Sequence, residues 1–371
     1  MSKICIYAIC KNEKQFIDKW LDSMSEADYI VVLDTGSTDG TYELLKSDPR
    51  VFKCEQKIIN PWRFDVARNE SMKLIPEDAN ILFCTDLDEL LDKGWSKPLR
   101  EQWIDGFHKR GYYTYAWSHL PNGAPGRVFT YDKIHSRDWH WQFPVHEMLV
   151  LDNDTQDLPY EQIIDFGDSI YLHHWQVTKD SRDSYLNLLE LRKQEYPHDY
   201  YGKIYLAHEY YYRGFYQKSI DELQDILNNY SEHYTSLEQA SCYLFIGDAY
   251  KALEQYSDSI TAYQQALLIE PTYREPYLNL ANLLNNLQYY HWSIGIIQEC
   301  LSKTYRHYTW LERDTSWTYE PYDLLGIAYY YIGDYNNSFI NAHKALQYDT
   351  TDERLIYNLK FSEDKIYGRE L

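Results

Sequence analysis

The apolar residues of this 371-residue chain follow two different patterns, one in each half. In the first half, short apolar runs at 4–10, 29–34 and 80–86 alternate with amphipathic segments of helical spacing. This alternation predicts a mostly parallel sheet covered by helices. In the second half, the apolar residues recur at helical spacing throughout. The sequence therefore predicts an α/β domain over residues 1–180 and an all-α domain over residues 181–371.

The second half contains an internal repeat in which small and aromatic residues recur at corresponding offsets. The four copies are Ala207, Tyr210, Ser219 and Leu223; Gly247, Tyr250, Tyr263, Ala266 and Pro271; Ala281, Leu284, Ile297 and Cys300; and Gly326, Tyr329, Ala342 and Ala345. This pattern resembles the tetratricopeptide repeat, whose stacked helix pairs form a concave surface. We expect that surface to hold an extended peptide or partner protein, or to form a homodimer; the alternative is that the repeats only brace the first domain.

Acidic residues dominate the charge of the chain. Asp and Glu number 57 against 36 Lys and Arg, which gives a formal net charge of −21. Such a surface repels phosphate backbones, so we expect no nucleic-acid partner. A small anionic ligand therefore needs a divalent cation beside it.

The sequence also predicts a cytoplasmic location. No window approaches the roughly 20 apolar residues of a membrane span, so we expect no transmembrane segment. The N-terminus lacks the small-residue cleavage site of a signal peptide. The six cysteines are scattered without a C-x-x-C pair, which argues against a disulfide framework or a zinc ribbon.

Mainly polar residues, together with Gly36 and Leu87, follow three predicted strands at their carboxyl ends, where open α/β sheets bind ligands. They are Asn12 and Glu13 after the first strand, Asp34 and Gly36 at the second, and Asp86, Leu87 and Asp88 at the run 80–86. Because these ends share one edge of the sheet, a single crevice is predicted to collect them. We take all seven as candidate ligand contacts.

Asp86 and Asp88 stand two residues apart, so their side chains share one face and could address one cation. A divalent metal held there would act as a Lewis acid on a departing diphosphate. The alternative is a solvated acidic turn. Asp34 could accept hydrogen bonds from a base or ribose while Gly36 lets the backbone approach closely, unless the segment is an ordinary strand-to-helix turn.

Four segments, KICIYAICKNE, VVLDTGSTDGT, FDVARNESM and ILFCTDLDE, occur in an order that resembles the family 2 type glycosyltransferases. The resemblance spans roughly residues 1–175 and implies the GT-A fold, a Rossmann-like mixed sheet. With VHE at 145–147, HHW from 173 and the repeats, the chain is similar to the bacterial peptide S-glycosyltransferases of glycocin biosynthesis. The family resemblance implies transfer of a hexose or N-acetylhexosamine from a UDP-sugar to a protein, peptide or glycan by an inverting reaction, with Mn²⁺ or Mg²⁺ as cofactor.

The resemblance also implies roles for individual residues. Asp34 contacts the uracil or ribose, and Asp86 and Asp88 form the D-x-D pair, with Asp88 the more direct metal ligand. Arg68 lies near the nucleotide, although a surface position on its helix is the alternative. His173 completes the metal shell; the family has H-x-G where this chain has His-His-Trp, which leaves the choice between His173 and its neighbour open.

The acceptor side is less defined by the sequence. Glu147 is a candidate general base for an acceptor hydroxyl or thiol, or alternatively a residue that orients a loop by hydrogen bonding. Trp141, His146 and Trp175 are expected to contact the sugar or the acceptor, because aromatic faces pack against sugar C–H groups. Aromatic residues of this kind also serve as ordinary core.

Two other functions remain open at this level. A repeat-based scaffold with a catalytically silent nucleotide-sugar domain would not need Asp34, Asp86 and Asp88 together. A nucleotidyltransferase should carry a glycine- and lysine-rich triphosphate loop near its N-terminus, and ICKNE does not supply one. The three aspartates therefore favour the enzyme.

Overall fold

The computed structural model describes residues 2–119, 123–152, 162–175 and 184–368. The chain divides into two compact units, Met1–Pro197 and His198–Leu371. The first combines a sheet with helices and the second is helical, which confirms the predicted fold classes. Within the described residues, no helix combines the length and the apolar character needed to cross a membrane.

The first unit contains eleven strands and five helices in its described part. The strands are β1 (Ile4–Cys10), β2 (Tyr29–Asp34), β3 (Lys53–Gln56), β4 (Ile81–Cys84), β5 (Glu89–Leu91), β6 (Arg110–Ala116), β7 (Val128–His135), β8 (Trp139–Gln142), β9 (Met148–Leu151), β10 (Ile163–Asp165) and β11 (Tyr171–His174). The helices are α1 (Ile17–Ser23), α2 (Thr41–Ser47), α3 (Phe64–Met72), α4 (Ser96–Gln102) and α5 (Tyr185–Glu195).

The main sheet is mixed, with the strand order β3-β2-β1-β4-β7-β6-β11-β5 and with β10 beside β6. Strands β3, β2, β1 and β4 are parallel, so their carboxyl ends meet at one edge. Strand β7 runs antiparallel between β4 and β6. The predicted order of strands and helices up to β4 is confirmed, and the segment after α2 adds the short strand β3.

The central strand β1 is covered on both faces. Its alternate residues point to opposite sides of the sheet, so Ile4, Ile6 and Ala8 join one apolar core while Cys5 and Tyr7 join the other. A strand buried on both faces reads as a continuous apolar run instead of an alternating one. This is why residues 4–10 are recognisable as a strand in the sequence.

Helix α5 belongs to the first unit, although the predicted boundary after residue 180 assigned it to the second. Its Arg192 is fully buried and donates from Nη1 to the carbonyls of Val145 (3.0 Å) and His146 (2.8 Å). The Arg192 guanidinium also lies 3.8 Å from the ring centre of Phe143. These contacts depend on the tertiary fold, so helical spacing alone could not show which unit holds α5.

The second unit consists of four consecutive helix pairs and a last helix over the described residues 198–368. The pairs are α6 (Tyr200–Tyr212) with α7 (Tyr216–Asn229), α8 (Ser236–Ala252) with α9 (Tyr256–Ile269), α10 (Arg274–Asn286) with α11 (Tyr290–Ser302), and α12 (Glu320–Tyr331) with α13 (Tyr335–Leu346), followed by α14 (Glu353–Tyr367). Each pair contains one of the four predicted repeat copies. The sequence repeat is therefore a repeat of helix pairs.

A hydrogen bond recurs inside three of the pairs. In each, a serine hydroxyl of the second helix donates to the carbonyl of the small residue twelve positions earlier in the first helix. The bonds are Ser259 to Gly247 (2.7 Å), Ser293 to Ala281 (3.2 Å) and Ser338 to Gly326 (2.8 Å). The small residues are thus needed because the two helices approach closely at these points.

Gly247 marks the tightest of these approaches. A Cβ placed on it would lie 2.5 Å from the ring of Tyr263, which is itself fully buried. Replacing Gly247 by Ala should lower the free energy of unfolding by about 1–3 kcal/mol through overpacking. Urea unfolding followed by circular dichroism measures this change.

Gly295 on α11 is the matched control, because nothing lies within 4 Å of its Cβ position. Gly295→Ala should leave stability unchanged or raise it by up to about 1 kcal/mol, since alanine is the better helix former. Equal destabilisation by both substitutions would contradict the close approach at Gly247.

Candidate active site

The turn after β2 is built around the carboxylate of Asp34. This side chain is 0% exposed, and its Oδ1 accepts from the N–H groups of Gly36 (2.9 Å) and Ser37 (2.8 Å) and from Nε2 of Gln56 (2.9 Å). Gly36 has φ +112°, a conformation that favours glycine. Burial acts to raise the pKa of Asp34, but these hydrogen bonds outweigh it and hold the pKa below its usual value. Asp34 therefore stays charged and shapes the turn.

Asn12 and Glu13 connect the end of β1 to the same turn. Asn12 adopts φ +58°, its Oδ1 accepts from the N–H of Thr38 (2.8 Å), and its own N–H donates to Oγ of Ser37 (2.8 Å). The N–H of Glu13 donates to Oγ1 of Thr41 (2.9 Å). The structure thus brings the predicted residues of β1 and β2 together, and Asn12 remains exposed there.

Arg68 on α3 is buried, with 5% of its surface exposed, so the alternative of a surface helix residue is wrong. Its Nη1 lies 3.1 Å from Oδ1 of Asp86, and its Nε donates to Oε1 of Glu147 (2.5 Å). Nη1 also contacts Sγ of Cys84 (3.0 Å), and the guanidinium lies 5.2 Å from the ring centre of Trp141. Arg68 therefore joins the predicted D-x-D segment to the predicted base.

Lys133 of β7 lies on the other side of Asp86 and was missed by the sequence reasoning. Its Nζ is 3.2 Å from Oδ2 of Asp86 and 3.3 Å from Oε1 of Glu89. The same Glu89 oxygen accepts from the hydroxyl of Tyr115 (2.9 Å), while Oε2 accepts from the N–H of Asp86 (2.9 Å). Two cations, Arg68 and Lys133, thus flank one aspartate.

The charges of this cluster are set by burial and by one another. Burial acts to raise the pKa of Asp86, but Arg68 and Lys133 hold it well below its usual value. Burial acts to lower the pKa of Lys133, and Asp86 and Glu89 raise it far above its usual value instead. Asp86 is therefore a carboxylate whose oxygens already contact cations, which compete with any metal for the same atoms.

Asp88 lies beside His174 and not beside His173. His174 Nε2 is 3.6 Å from Asp88 Oδ2, whereas His173 Nε2 lies 3.4 Å from Asp92 Oδ1 and its Nδ1 is 2.9 Å from Nε2 of His119. Successive residues of a strand point to opposite faces, so only one of the two histidines can reach Asp88. Of the two histidines, His174 is therefore the one that lies beside the D-x-D segment, and His173 is not.

The chemistry of this pair fits a divalent cation in part. Among the residues that the structure describes, no three His, Cys, Asp or Glu side chains are grouped to hold a metal ion. Asp88 and His174 offer one carboxylate oxygen and one imidazole nitrogen, both of which are donor types that Mn²⁺ accepts. Burial acts to lower the pKa of His174, but the charge of Asp88 raises it overall. Further ligands would have to come from a substrate or water.

Trp175 and His146 are accessible near this edge, as expected for sugar or acceptor contacts. Trp175 is 42% exposed, stacks on the ring of His119 at 3.9 Å, and donates its backbone N–H to the carbonyl of Asp88 (2.9 Å). His146 is exposed, and its ring packs edge-on against Tyr185. The backbone of Trp175 is thus fixed beside Asp88, while its ring stacks on His119.

Two of the predicted contacts are buried instead. Trp141 is 4% exposed, and its Nε1 donates to the hydroxyl of Tyr7 (2.9 Å) inside an apolar core. Leu87 is 1% exposed and packs in the other core. Their side chains cannot line an open crevice, because each fills space beneath the sheet edge. The predicted contact roles of Trp141 and of the Leu87 side chain are therefore wrong.

Comparison with known proteins finds a match within each unit. Residues 5–153 match the family Glycosyl transferase family 2, and residues 247–288 match the TPR repeat. These matches confirm the resemblance to family 2 glycosyltransferases and to tetratricopeptide repeats that the sequence motifs indicated.

One curated relative is the lipopolysaccharide core biosynthesis glycosyltransferase LpsC of Rhizobium meliloti (strain 1021). It is 33% identical over 95 residues, which cover 26% of this chain and 35% of the relative. The chain thus aligns with about a third of the length of that protein.

Solved structures similar to the chain include tetratricopeptide repeat proteins. A thermophilic repeat protein of Thermus thermophilus, TTC0263, is 17% identical, with a TM-score of 0.38, and the match covers 49% of this chain and 90% of that protein. A repeat protein of Parabacteroides merdae ATCC 43184 is 14% identical, with a TM-score of 0.39, and the corresponding shares are 50% and 67%.

Removing the ammonium group of Lys133 tests the buried charge cluster. Lys133→Met keeps a side chain of similar length but leaves the carboxylates of Asp86 and Glu89 facing each other with one cation fewer. We expect the free energy of unfolding to fall by about 3 kcal/mol, the scale of breaking a buried ion pair. Urea unfolding measures it.

Lys53→Met is the control, because Lys53 and Glu55 form an exposed pair at 2.9 Å. Such surface pairs contribute at most about 1 kcal/mol. A Lys133 variant no less stable than the Lys53 variant would show that the buried cluster does not stabilise the sheet edge.

Proposed function

We propose that the protein is a metal-dependent glycosyltransferase that moves a hexose or N-acetylhexosamine from a UDP-sugar to a protein, peptide or glycan, with inversion at the anomeric carbon. The observation that carries the proposal is the meeting of the Asp34 turn, the cations beside Asp86, and the Asp88–His174 pair at one sheet edge. Ligands of open α/β sheets bind beyond the carboxyl ends of the strands, which is this edge. The family 2 match over residues 5–153 supports the same function.

An anionic donor requires added positive charge at this site. A chain of formal net charge −21 repels a nucleoside diphosphate unless cations are concentrated where it binds. Arg68 and Lys133 are already paired with Asp86, Glu89 and Glu147, so the proposed metal ion has to offset the charge of the donor. Asp88 and His174 would hold a Mn²⁺ or Mg²⁺ ion, which would supply Lewis-acid stabilisation of a departing diphosphate when bound.

The turn after β2 is the proposed nucleotide platform. Asp34 holds the N–H groups of Gly36 and Ser37, and the exposed Asn12 holds Thr38, so the backbone of the turn is pre-organised. A direct contact of Asp34 with uracil or ribose requires the turn to open, because the carboxylate is buried. We therefore assign Asp34 mainly to shaping the turn.

Glu147 is proposed to act on the acceptor side, through one of two roles. Its Oε1 accepts from Nε of Arg68, so this oxygen is already engaged and the side chain is held in one orientation. This contact favours the role of orienting the loop that follows Pro144 and Val145. A base role requires the bond to Arg68 to loosen when the acceptor binds.

The second candidate is a repeat-based scaffold whose nucleotide-sugar domain is catalytically silent. The observation that favours it is the lack of a three-residue metal group among the residues described by the structure. It differs from the first candidate in predicting nucleotide binding without turnover.

Incubation with UDP-glucose, UDP-galactose or UDP-N-acetylglucosamine distinguishes the two candidates. We expect Mn²⁺ to allow slow release of UDP, and EDTA to stop it. Titration calorimetry with UDP, in the presence and absence of Mn²⁺, measures binding separately from turnover. UDP binding without release from any of these donors would favour the scaffold, and no UDP binding would reject both candidates.

Substitutions on β11 and in the D-x-D segment test which residues hold the metal. Asp88→Asn and His174→Ala should each lower Mn²⁺-dependent UDP release about 100-fold, the scale of losing one electrostatic stabiliser of a transition state. Both should also weaken Mn²⁺-dependent UDP binding in the calorimeter.

His173→Ala is the matched control from the same strand, since His173 faces Asp92 and His119. We expect it to retain Mn²⁺-dependent binding and release. The opposite result, loss with His173→Ala and retention with His174→Ala, would contradict the assignment of His174.

A further inference from the structure

The connection between α11 and α12 differs from the other connections of the repeat unit. Residues 303–319, here called the strap, return across the first helices of earlier pairs instead of turning directly into α12. The ring of Trp310 lies 6.0 Å from the rings of both Tyr205 and His208 on α6. The strap therefore reaches back to the first pair.

Apolar and polar contacts fix the strap along its length. Leu311 packs in the core formed by α8, α9 and α10, and its carbonyl accepts from the hydroxyl of Tyr273 (3.0 Å). The N–H of Arg313 donates to Oε1 of Glu275 (2.5 Å), a buried carboxyl on α10. The strap thus covers the apolar part of the first helices with the chain's own side chains.

The strap is also held where it begins and ends. The guanidinium of Arg274 donates to the carbonyls of Lys303 (2.6 Å) and Ser316 (3.1 Å), and it lies 3.8 Å from the ring centre of Trp317. One buried arginine therefore ties both parts of the strap to α10. Because of these contacts, an extended peptide cannot run along the whole row of first helices.

Later turns of the same helices remain open and form a cavity of about 470 Å³. Its lining residues are Tyr211, Asp248, Lys251, Ala252, Asn279, Asn282, Arg313 and Glu320. Cavities of about 300–1,000 Å³ are the usual size for small-ligand sites. The strap supplies one wall of this cavity through Arg313.

The charges of the cavity balance one another. Asp248 and Glu320 oppose Lys251 and Arg313, so the four formal charges cancel. Arg313 Nη2 donates to Oε1 of Glu320 (3.1 Å), and Lys251 Nζ donates to Oδ1 of Asn282 (2.8 Å). A ligand with a net charge gains little here, because each of its charges would meet groups of both signs.

Asp248 and Lys251 are each partly buried in the wall of this cavity. Burial raises the pKa of Asp248 despite hydrogen bonds from Tyr263 and Asn279, and burial lowers the pKa of Lys251 despite the nearby Asp248. Hydrogen bonds are stronger in such a setting than in open solvent. Apolar ligands are disfavoured as well, since Ala252 and the ring of Tyr211 are the main apolar surfaces of the lining.

We propose that this cavity of the repeat unit is a binding site for an uncharged, hydroxyl-rich ligand, namely a short saccharide. Each sugar hydroxyl both donates and accepts, which matches carboxylate, amide and ammonium groups set side by side. The ring of Tyr211 offers a face for sugar C–H groups. This site goes beyond the proposed transferase activity and does not depend on it.

Titration calorimetry of the full chain with cellobiose, chitobiose and lactose tests the site, without a nucleotide or metal. We expect at least one disaccharide to bind, and Asn282→Ala and Asp248→Asn each to weaken that binding about tenfold. Asn282 is partly exposed, so its substitution should leave the fold intact, as circular dichroism checks. Gln265→Ala on the exposed side of α9 is the matched control and should bind as the unsubstituted protein does.

Three outcomes would overturn the proposal. None of the disaccharides binds; the two cavity variants bind as tightly as the control; or tetra-alanine binds in the cavity more tightly than any of the sugars. The last outcome would assign the cavity to a peptide. Because the assay contains no UDP-sugar, its result is separate from the outcome of the transferase assay.

Discussion

The candidate site depends on one cluster of charges, in which Arg68 contacts both carboxylate oxygens of Asp86 and Lys133 contacts one of them. Buried charges are costly unless they are paired, so removing Lys133 leaves Glu89 without this cation and Asp86 with Arg68 alone. The cluster joins α3, β7 and the segment after β4, and through Glu147 it extends to the loop before β9. The position of the D-x-D segment is therefore set by electrostatics as well as by the sheet.

The charge cluster also bears on the repulsion between this acidic chain and an anionic donor. An acidic chain can bind an anionic donor only where its own cations and a metal are concentrated. Asp86 contacts the two cations Arg68 and Lys133 at the sheet edge, whereas Asp88 lies beside His174. The two aspartates of one motif thus have different neighbours and different proposed roles, although they stand only two residues apart.

In the repeat unit, the helix pairs and the strap have different structural roles. Its helix pairs follow the small and aromatic positions of the sequence repeat, and close approach at Gly247 explains why a small residue is needed there. The strap then fills part of the surface that repeats normally leave open, using Trp310 and Leu311. What remains is a polar cavity that is lined by repeat helices and closed on one side by Arg313 of the strap.

The sequence alone determined the two fold classes, the order of elements up to β4 and the edge at which Asn12, Asp34, Asp86 and Asp88 gather, because periodicity and strand ends are local features. Only the tertiary structure decided what depends on distant segments. Lys133 reaches Asp86 because β7 pairs antiparallel with β4, Phe83 opposite Ile134, and no local pattern records that pairing. Likewise, only the structure shows that His174, and not His173, faces Asp88. Only the structure shows that Trp141 is buried against Arg68.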